Sequence, residues 1–117
     1  RYIRLPELFS ELEAARIQGK YHQVMKQLQN LPLVILDEFL LIPTSDQEQR
    51  DLLELMEYRC GRASTIFCSQ FMPEGWHERL GGSALADSIL DRIIPTAYTM
   101  RIDGDVSMRQ RKRMLKD

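Results

Sequence analysis

Asp37 and Glu38 are adjacent carboxylates set directly after the apolar run Leu33-Val34-Ile35-Leu36. Hydrolysis of a phosphoanhydride can use both. The first holds Mg²⁺, chiefly through its water shell because Mg²⁺ dehydrates reluctantly. The second polarises or orients the attacking water. Four apolar residues running into two acids is the sequence form of a Walker B strand. A core strand whose polar end meets solvent would look the same, so the neighbouring segments must decide.

The motif that normally completes such a site, G-x-x-x-x-G-K-[ST], does not occur in these 117 residues. Its glycine-rich backbone and lysine would cradle the phosphates. Only Gly19 precedes a lysine, and Gly19-Lys20 has Ala14 at the earlier glycine position and Tyr21 at the Ser/Thr position. Half of the nucleotide site is missing, and the chain alone is expected to bind ATP weakly or not at all.

Three further groups could act with the acid pair. Ser69-Gln70 ends the next apolar run, Ser64 to Ser69. Arg92 lies on the polar stripe of an amphipathic helix, and the residue four before it is Ser88, so the usual acidic neighbour at that spacing is lacking. It is either a solvated arginine, one paired with Asp37 or Glu54, or one that reaches a neighbouring subunit. The tail from Ser107 to Lys116 concentrates Arg109, Arg111, Lys112, Arg113 and Lys116. It suits either DNA phosphates or a solvated helix face. Trp76 and His77 read as packing and surface residues. Cys60 and Cys68 form no C-x-x-C motif, which with two distant histidines leaves no zinc site. A metal-dependent hydrolase built on Asp37 and Glu38 alone lacks further ligands.

The elements that must position these groups alternate. Tyr2 to Leu5 reads as a short strand, and Pro6 and Glu7 suit a first helical turn. Leu8, Leu12 and Ala15 share a helical face that Gly19 stops. Tyr21, Val24, Met25 and Leu28 mark a second helix, broken at Asn30 to Pro32. The Leu33 to Leu36 run suits a strand buried on both faces, with its acids at the carboxyl edge of a parallel sheet. Phe39 to Pro43 is an apolar loop. Ser45 and Glu48 form a capping box for a helix in which Leu52, Leu55, Met56 and Cys60 share a face, closed by Gly61. Trp76 to Leu80 is a short helix, and Gly81-Gly82-Ser83 turns into a helix patterned by Leu85-Ala86, Ile89-Leu90 and Ile93-Ile94. Pro95 ends it, Thr96 to Ile102 forms a third full strand, and Asp103-Gly104 turns into the tail. The class is α/β with a mainly parallel sheet flanked by helices.

A hydrophobic fraction of 44% and a charged fraction of 28% are those of a globular chain, and 117 residues make one domain at most. A net charge of −1 singles out neither nucleic acid nor membrane as partner. No segment is long enough to span a bilayer, and reduced thiols suit a cytoplasmic protein. Arg1-Tyr2-Ile3-Arg4 reads as mid-domain sequence, expected of a truncated frame or an excised piece.

The segments Leu33–Glu38, Gln49–Glu54, Tyr58–Thr65, Ser69-Gln70, Trp76-His77, Leu85–Arg92 and Ser107-Met108-Arg109 closely resemble the IstB branch of the IstB/DnaC-like AAA+ ATPases. The resemblance runs nearly the whole chain. It implies a partial AAA+ P-loop NTPase fold over residues 1–117, with a basic tail at 107–117, ATP and Mg²⁺ as ligands, and self-association. It implies Asp37, the Mg²⁺ residue, and Glu38 as Walker B, Ser69 with Gln70 as sensor 1, Arg92 as an arginine finger and Arg109 as a second sensor. It implies a helper of DNA transposition that delivers target DNA to a transposase, or a DnaC-like factor serving a replicative helicase. The alternative is a truncated interaction module without ATPase activity. In the family the P-loop strand lies between the strand ending at Ser69 and the last strand, so its absence is expected to leave a gap with two unpaired edges.

Overall fold

The computed structural model describes residues 1–94. Pro95, the expected strand from Thr96 to Ile102 and the basic tail, with Arg109, Arg111, Lys112 and Arg113, lie outside the described residues. The elements follow in the order β1 (Tyr2–Arg4), α1 (Leu5–Ile17), α2 (Tyr21–Asn30), β2 (Leu33–Asp37), α3 (Asp46–Arg59), β3 (Ser64–Phe67), a 3₁₀ turn (Pro73–Gly75), α4 (Trp76–Arg79) and α5 (Ala84–Ile93). The three strands form one parallel sheet in the order β1-β2-β3. Tyr2 aligns with Ile35 and Arg4 with Asp37, while Leu33 aligns with Ser64 and Leu36 with Phe67. This is the α/β class with a parallel sheet that the alternating elements predict.

Local chemistry sets the element ends. Pro6 occupies the first turn of α1, and Gly19, at φ 72°, lets the chain leave it. The capping box of α3 forms as expected: Ser45 Oγ accepts the Glu48 N–H at 3.2 Å, and Glu48 Oε1 accepts the Ser45 N–H at 2.8 Å. Gly61, at φ 77°, takes the chain from α3 towards β3. Ser83 Oγ accepts the Ala86 N–H at the start of α5, whose Ala86, Ile89 and Ile93 are buried.

Among the described residues the helical layer covers one sheet face only. Ile3, Val34 and Leu36 are buried beneath it, together with Leu8, Leu12, Met25, Leu28, Leu52 and Leu55. On the opposite face Tyr2, Leu33 and Ile66 are 58%, 39% and 47% exposed. The apolar run of β2 suggested burial on both faces, and for the described residues that expectation is corrected. Alternation along the strands places Tyr2, Leu33 and Ile66 where no described element packs.

Two buried polar groups tie the helices together. Arg59, wholly buried, donates to the carbonyls of Leu28, Leu31 and Ser64 and to Thr65 Oγ1 at 2.5 to 2.9 Å. The sequence pattern gave this core position to Cys60, but Cys60 is only partly buried. Arg59 can be dry because backbone oxygens at the end of α2 and the start of β3 satisfy its fork. Asp51, also buried, sits 2.8 Å from Arg16 Nη2 and 3.1 Å from Gln47 Nε2. The Tyr21 hydroxyl, 3.1 Å from Asp51 Oδ1, donates to Glu54 Oε2 at 2.6 Å.

Candidate functional site

The carboxyl end of β2 breaks the regular ladder. A parallel ladder in this register would bring the Glu38 N–H to the Cys68 carbonyl. Instead the Glu38 N–H donates to Asp37 Oδ1 at 2.8 Å, and the Phe39 N–H takes the Cys68 carbonyl at 2.9 Å. The extra residue makes a bulge, a device that re-aims side chains at the end of a strand. Glu38 sits there in the left-handed region, at φ 54°, followed by Leu40 at φ 61°. Both are non-glycine residues held in a costly conformation of the kind that collects at working sites.

The two acids point into different surroundings. Asp37 Oδ2 accepts a hydrogen bond from the Tyr2 hydroxyl of β1, and this bond raises the Tyr2 phenol above its ordinary pKa. Glu38 Oε1 lies 3.9 Å from Arg4 Nη1, while Arg4 Nε is bonded more closely to Glu7, at 2.6 Å. Glu38 also lines a cleft of about 70 Å³ with Phe9, Ile42, Thr44 and Glu48. Thr44 Oγ1 is buried there without a hydrogen-bond partner among the described residues. The cleft has room for water, which would satisfy that hydroxyl beside the Glu38 carboxylate.

Among the described residues no three His, Cys, Asp or Glu side chains converge as metal ligands. A single carboxylate suits Mg²⁺ held through water and the phosphates of a nucleotide, which is how Mg²⁺ is commonly bound. Asp37, at the strand end and only partly buried, fits that role.

Ser69 and Gln70 stand across from the bulge. β3 ends at Phe67, short of the expected Ser69, because the chain leaves the ladder once the Cys68 N–H has reached the Leu36 carbonyl at 2.9 Å. Ser69 Oγ donates to the Phe39 carbonyl and accepts the Phe71 N–H, both at 3.0 Å. Gln70 is exposed. Burial, with Asp37 nearby, pushes the Cys68 thiol up in pKa, so it stays protonated in this setting.

Arg92 is not gathered with these residues. Its carbonyl accepts a hydrogen bond from Cys60 Sγ at 3.0 Å, and Cys60 lies between the end of α3 and the start of β3, at the amino edge of the sheet. Asp37 ends β2 at the other edge, roughly 13 Å along four strand steps. The guanidinium is half-exposed and pairs with Glu57 Oε1 at 3.7 Å. Of the readings left open for Arg92, a pairing with Asp37 or Glu54 is corrected: among the described residues the guanidinium meets Glu57.

Sequence reasoning missed three contributors. Tyr2 and Arg4 reach the two acids from β1, a relationship that depends on strand register, which no local pattern encodes. Arg79, at the end of α4, donates Nε to the Leu40 carbonyl at 3.0 Å and Nη2 to the Leu41 carbonyl at 2.6 Å. Its partners are backbone atoms almost forty residues away, so no side-chain motif signals it.

A family model for IstB-like ATP binding proteins matches residues 1–116. An insertion-sequence ATP-binding protein of Sinorhizobium fredii is 40% identical over 96% of this chain and 46% of its own length. A second from the same organism is 38% identical over 95% of this chain and 45% of its own. The ATP-binding protein of insertion sequence IS21 from Pseudomonas aeruginosa is 29% identical over 96% of this chain and 42% of its own. The chain therefore spans less than half the length of these relatives.

Proposed function

The chain belongs to the family of IstB-like ATP binding proteins, and on that premise we propose that it forms the acid-pair and sensor half of an ATP-hydrolysing helper of insertion-sequence transposition. The observation that carries this reading is the bulged end of β2, which sets Asp37 and a left-handed Glu38 at the carboxyl edge of a parallel sheet. The P-loop that the reading needs would come from family length that this chain does not span.

Within that reading Asp37 holds the water shell of Mg²⁺, and Mg²⁺, when bound with ATP, neutralises charge on the phosphoryl oxygens. Glu38 orients the attacking water and takes its proton on a carboxylate oxygen. Gln70, exposed beside the fixed Ser69 hydroxyl, contacts the same water or the terminal phosphate. Arg92 serves the site of a neighbouring subunit in a self-associated assembly, and Arg109 approaches the phosphates as a second sensor. Arg109, Arg111, Lys112 and Arg113 contact DNA phosphates, and the assembly hands DNA to a transposase. No described helix is long and apolar enough to cross a membrane.

A second reading has one observation in its favour, the missing P-loop: a module that binds subunits or DNA without turnover. Titration with a fluorescent ATP analogue and Mg²⁺, with the rate of ATP hydrolysis by the joined protein measured beside it, separates the two, since turnover belongs to the first alone. The chain alone should show no saturable micromolar binding, and the chain joined to the remaining half of the first Sinorhizobium relative should show it. Saturable binding by the chain alone, or none by the joined protein, overturns the leading reading.

A further inference from the structure

Arg79 makes no ion pair among the described residues, although its guanidinium is partly buried. It spends its donors on two successive carbonyls, those of Leu40 and Leu41, and its guanidinium carbon lies 4.4 Å from the centre of the Phe71 ring. An arginine that gives its fork to backbone carbonyls and its face to an aromatic ring fixes geometry, and lysine cannot substitute for it in that role.

The segment it grips carries the strained part of the site. Glu38 and Leu40 are the non-glycine residues with positive φ among the described residues. Left-handed backbone at such residues persists only where the surroundings over-determine it. From the sheet side the turn is held by the Phe39 N–H on the Cys68 carbonyl and by Ser69 Oγ on the Phe39 carbonyl. Within itself it is closed by the Leu41 N–H on the Glu38 carbonyl at 3.2 Å. Arg79 supplies the hold from the helical side. Its helix packs against α5, where His77 Nε2 lies 2.8 Å from Asp87 Oδ1 without the geometry of a hydrogen bond.

We propose that Arg79 is a positioning residue for Glu38, fixing the Leu40 and Leu41 carbonyls so that the left-handed turn keeps the Glu38 carboxylate at the site where it meets water. This rests on the reading of Glu38 as the residue that orients the attacking water. It also makes Arg79, beside the packing of Trp76 on Phe39, a tie between the helical pair α4–α5, which bears Arg92, and the acid pair on the sheet.

The first arm of the test uses the chain itself. In Arg79→Ala, amide exchange at Phe39 and Leu41 should accelerate tenfold or more while the amides of Met25 and Leu28 keep their protection. The second arm uses the chain joined to a P-loop half. There Arg79→Ala should lower kcat about tenfold and leave KM for ATP within about twofold, and it should add nothing further in a Glu38→Gln background, because the two act as a unit. If Arg79→Ala does not fold, Arg79→Gln, which keeps an amide donor, takes its place. Unchanged exchange at Phe39 and Leu41, a uniform rise across all helices, or a full additional loss on top of Glu38→Gln overturns the proposal. If the joined protein with no substitution shows no turnover, the reading of Glu38 fails by itself, and the exchange arm alone decides whether Arg79 holds the turn.

Discussion

Ser69 and Phe39 are joined across two strand ends, the Ser69 hydroxyl donating to the Phe39 carbonyl at 3.0 Å while accepting the Phe71 N–H at the same distance. A hydroxyl has one proton to give, and here it is committed to the turn that follows Asp37. On the proposed reading, the sensor role given jointly to Ser69 and Gln70 therefore divides. Ser69 fixes the frame, and the exposed amide of Gln70 is the group left to meet a phosphate or a water.

Ser69→Ala is accordingly expected to lower unfolding stability by about 1 kcal/mol, the usual net worth of a hydrogen bond. Gln70→Ala should stay within about 0.5 kcal/mol of the parent, as exposed substitutions do. In the P-loop-joined protein, Gln70→Ala should lose turnover while retaining ATP affinity. Urea melts and steady-state rates read both. A large stability loss for Gln70→Ala would reverse the division.

Glu38 combines a reactive side chain with a backbone that favours glycine. Glu38→Gly removes the left-handed penalty, of roughly 1 kcal/mol, and should raise the melting temperature of the isolated chain. The same substitution removes the carboxylate, so turnover of the joined protein should collapse. Glu38→Gln should spare ATP binding and slow turnover about a hundredfold or more if the carboxylate acts as the base. A lower melting temperature for Glu38→Gly would mean that the turn is not strained.

Tyr21 offers a pH test of the buried network. Burial first, then its hydrogen bond to Glu54 and the nearby Asp51 charge, push its phenol far above the ordinary value. The native chain thus keeps this proton at a pH where the unfolded chain releases it. The stability conferred is complete below the unfolded pKa of about 10 and falls as pH rises above it. Tyr21→Phe should be less stable at pH 7 by about 1 kcal/mol for the lost hydrogen bonding, and the gap should narrow between pH 10 and 11. A gap that widens with pH would contradict the assignment.

Arg59→Met should cost about 3 kcal/mol or more. Removing the guanidinium leaves the carbonyl of Leu28 buried, and those of Leu31 and Ser64 partly buried, without its donors, and a fully buried loss is worth about 1–3 kcal/mol. Burial already lowers the pKa of this arginine, and Arg59→Lys is expected to recover little because an ammonium cannot spread over the same acceptors. Chemical denaturation distinguishes this from a mere volume effect by comparison with Leu55→Ala, a plain cavity in the same core.

Much of this architecture was legible. Pro6, the Ser45–Glu48 box, Gly19 and Gly61 mark element ends by local chemistry, and local chemistry is what a sequence carries. The acid pair at the end of β2 was legible for the same reason. Register and face were not. Leu33-Val34-Ile35-Leu36 reads the same whether one sheet face is covered or two, and the contacts of Tyr2 with Asp37 and of Arg4 with Glu38 exist only once β1 lies beside β2. Arg59 was hidden because its partners are carbonyls, which every residue has. The pairing of Arg92 with Glu57 was hidden because it joins two helices thirty-five positions apart in sequence.

That pairing sharpens the test of Arg92. The residue sits at the amino edge of the sheet and Asp37 at the carboxyl edge, so in this chain the guanidinium cannot serve the acid pair beside which it folds. Its half-exposed ion pair with Glu57 is of the surface kind, worth about 0–1 kcal/mol, and yields readily to a phosphate. Arg92→Ala should therefore leave stability within about 1 kcal/mol and ATP affinity unchanged in the joined protein. It should abolish hydrolysis that depends on assembly, since a finger in trans is worth about a thousandfold or more. Glu57→Ala should behave oppositely, leaving hydrolysis intact, because it frees the guanidinium without removing it. Mixing Arg92→Ala subunits with subunits whose P-loop lysine is replaced should restore part of the rate, one partner giving the arginine and the other the nucleotide site. If both variants fold and assemble but no mixture recovers activity, Arg92 does not act across the subunit boundary.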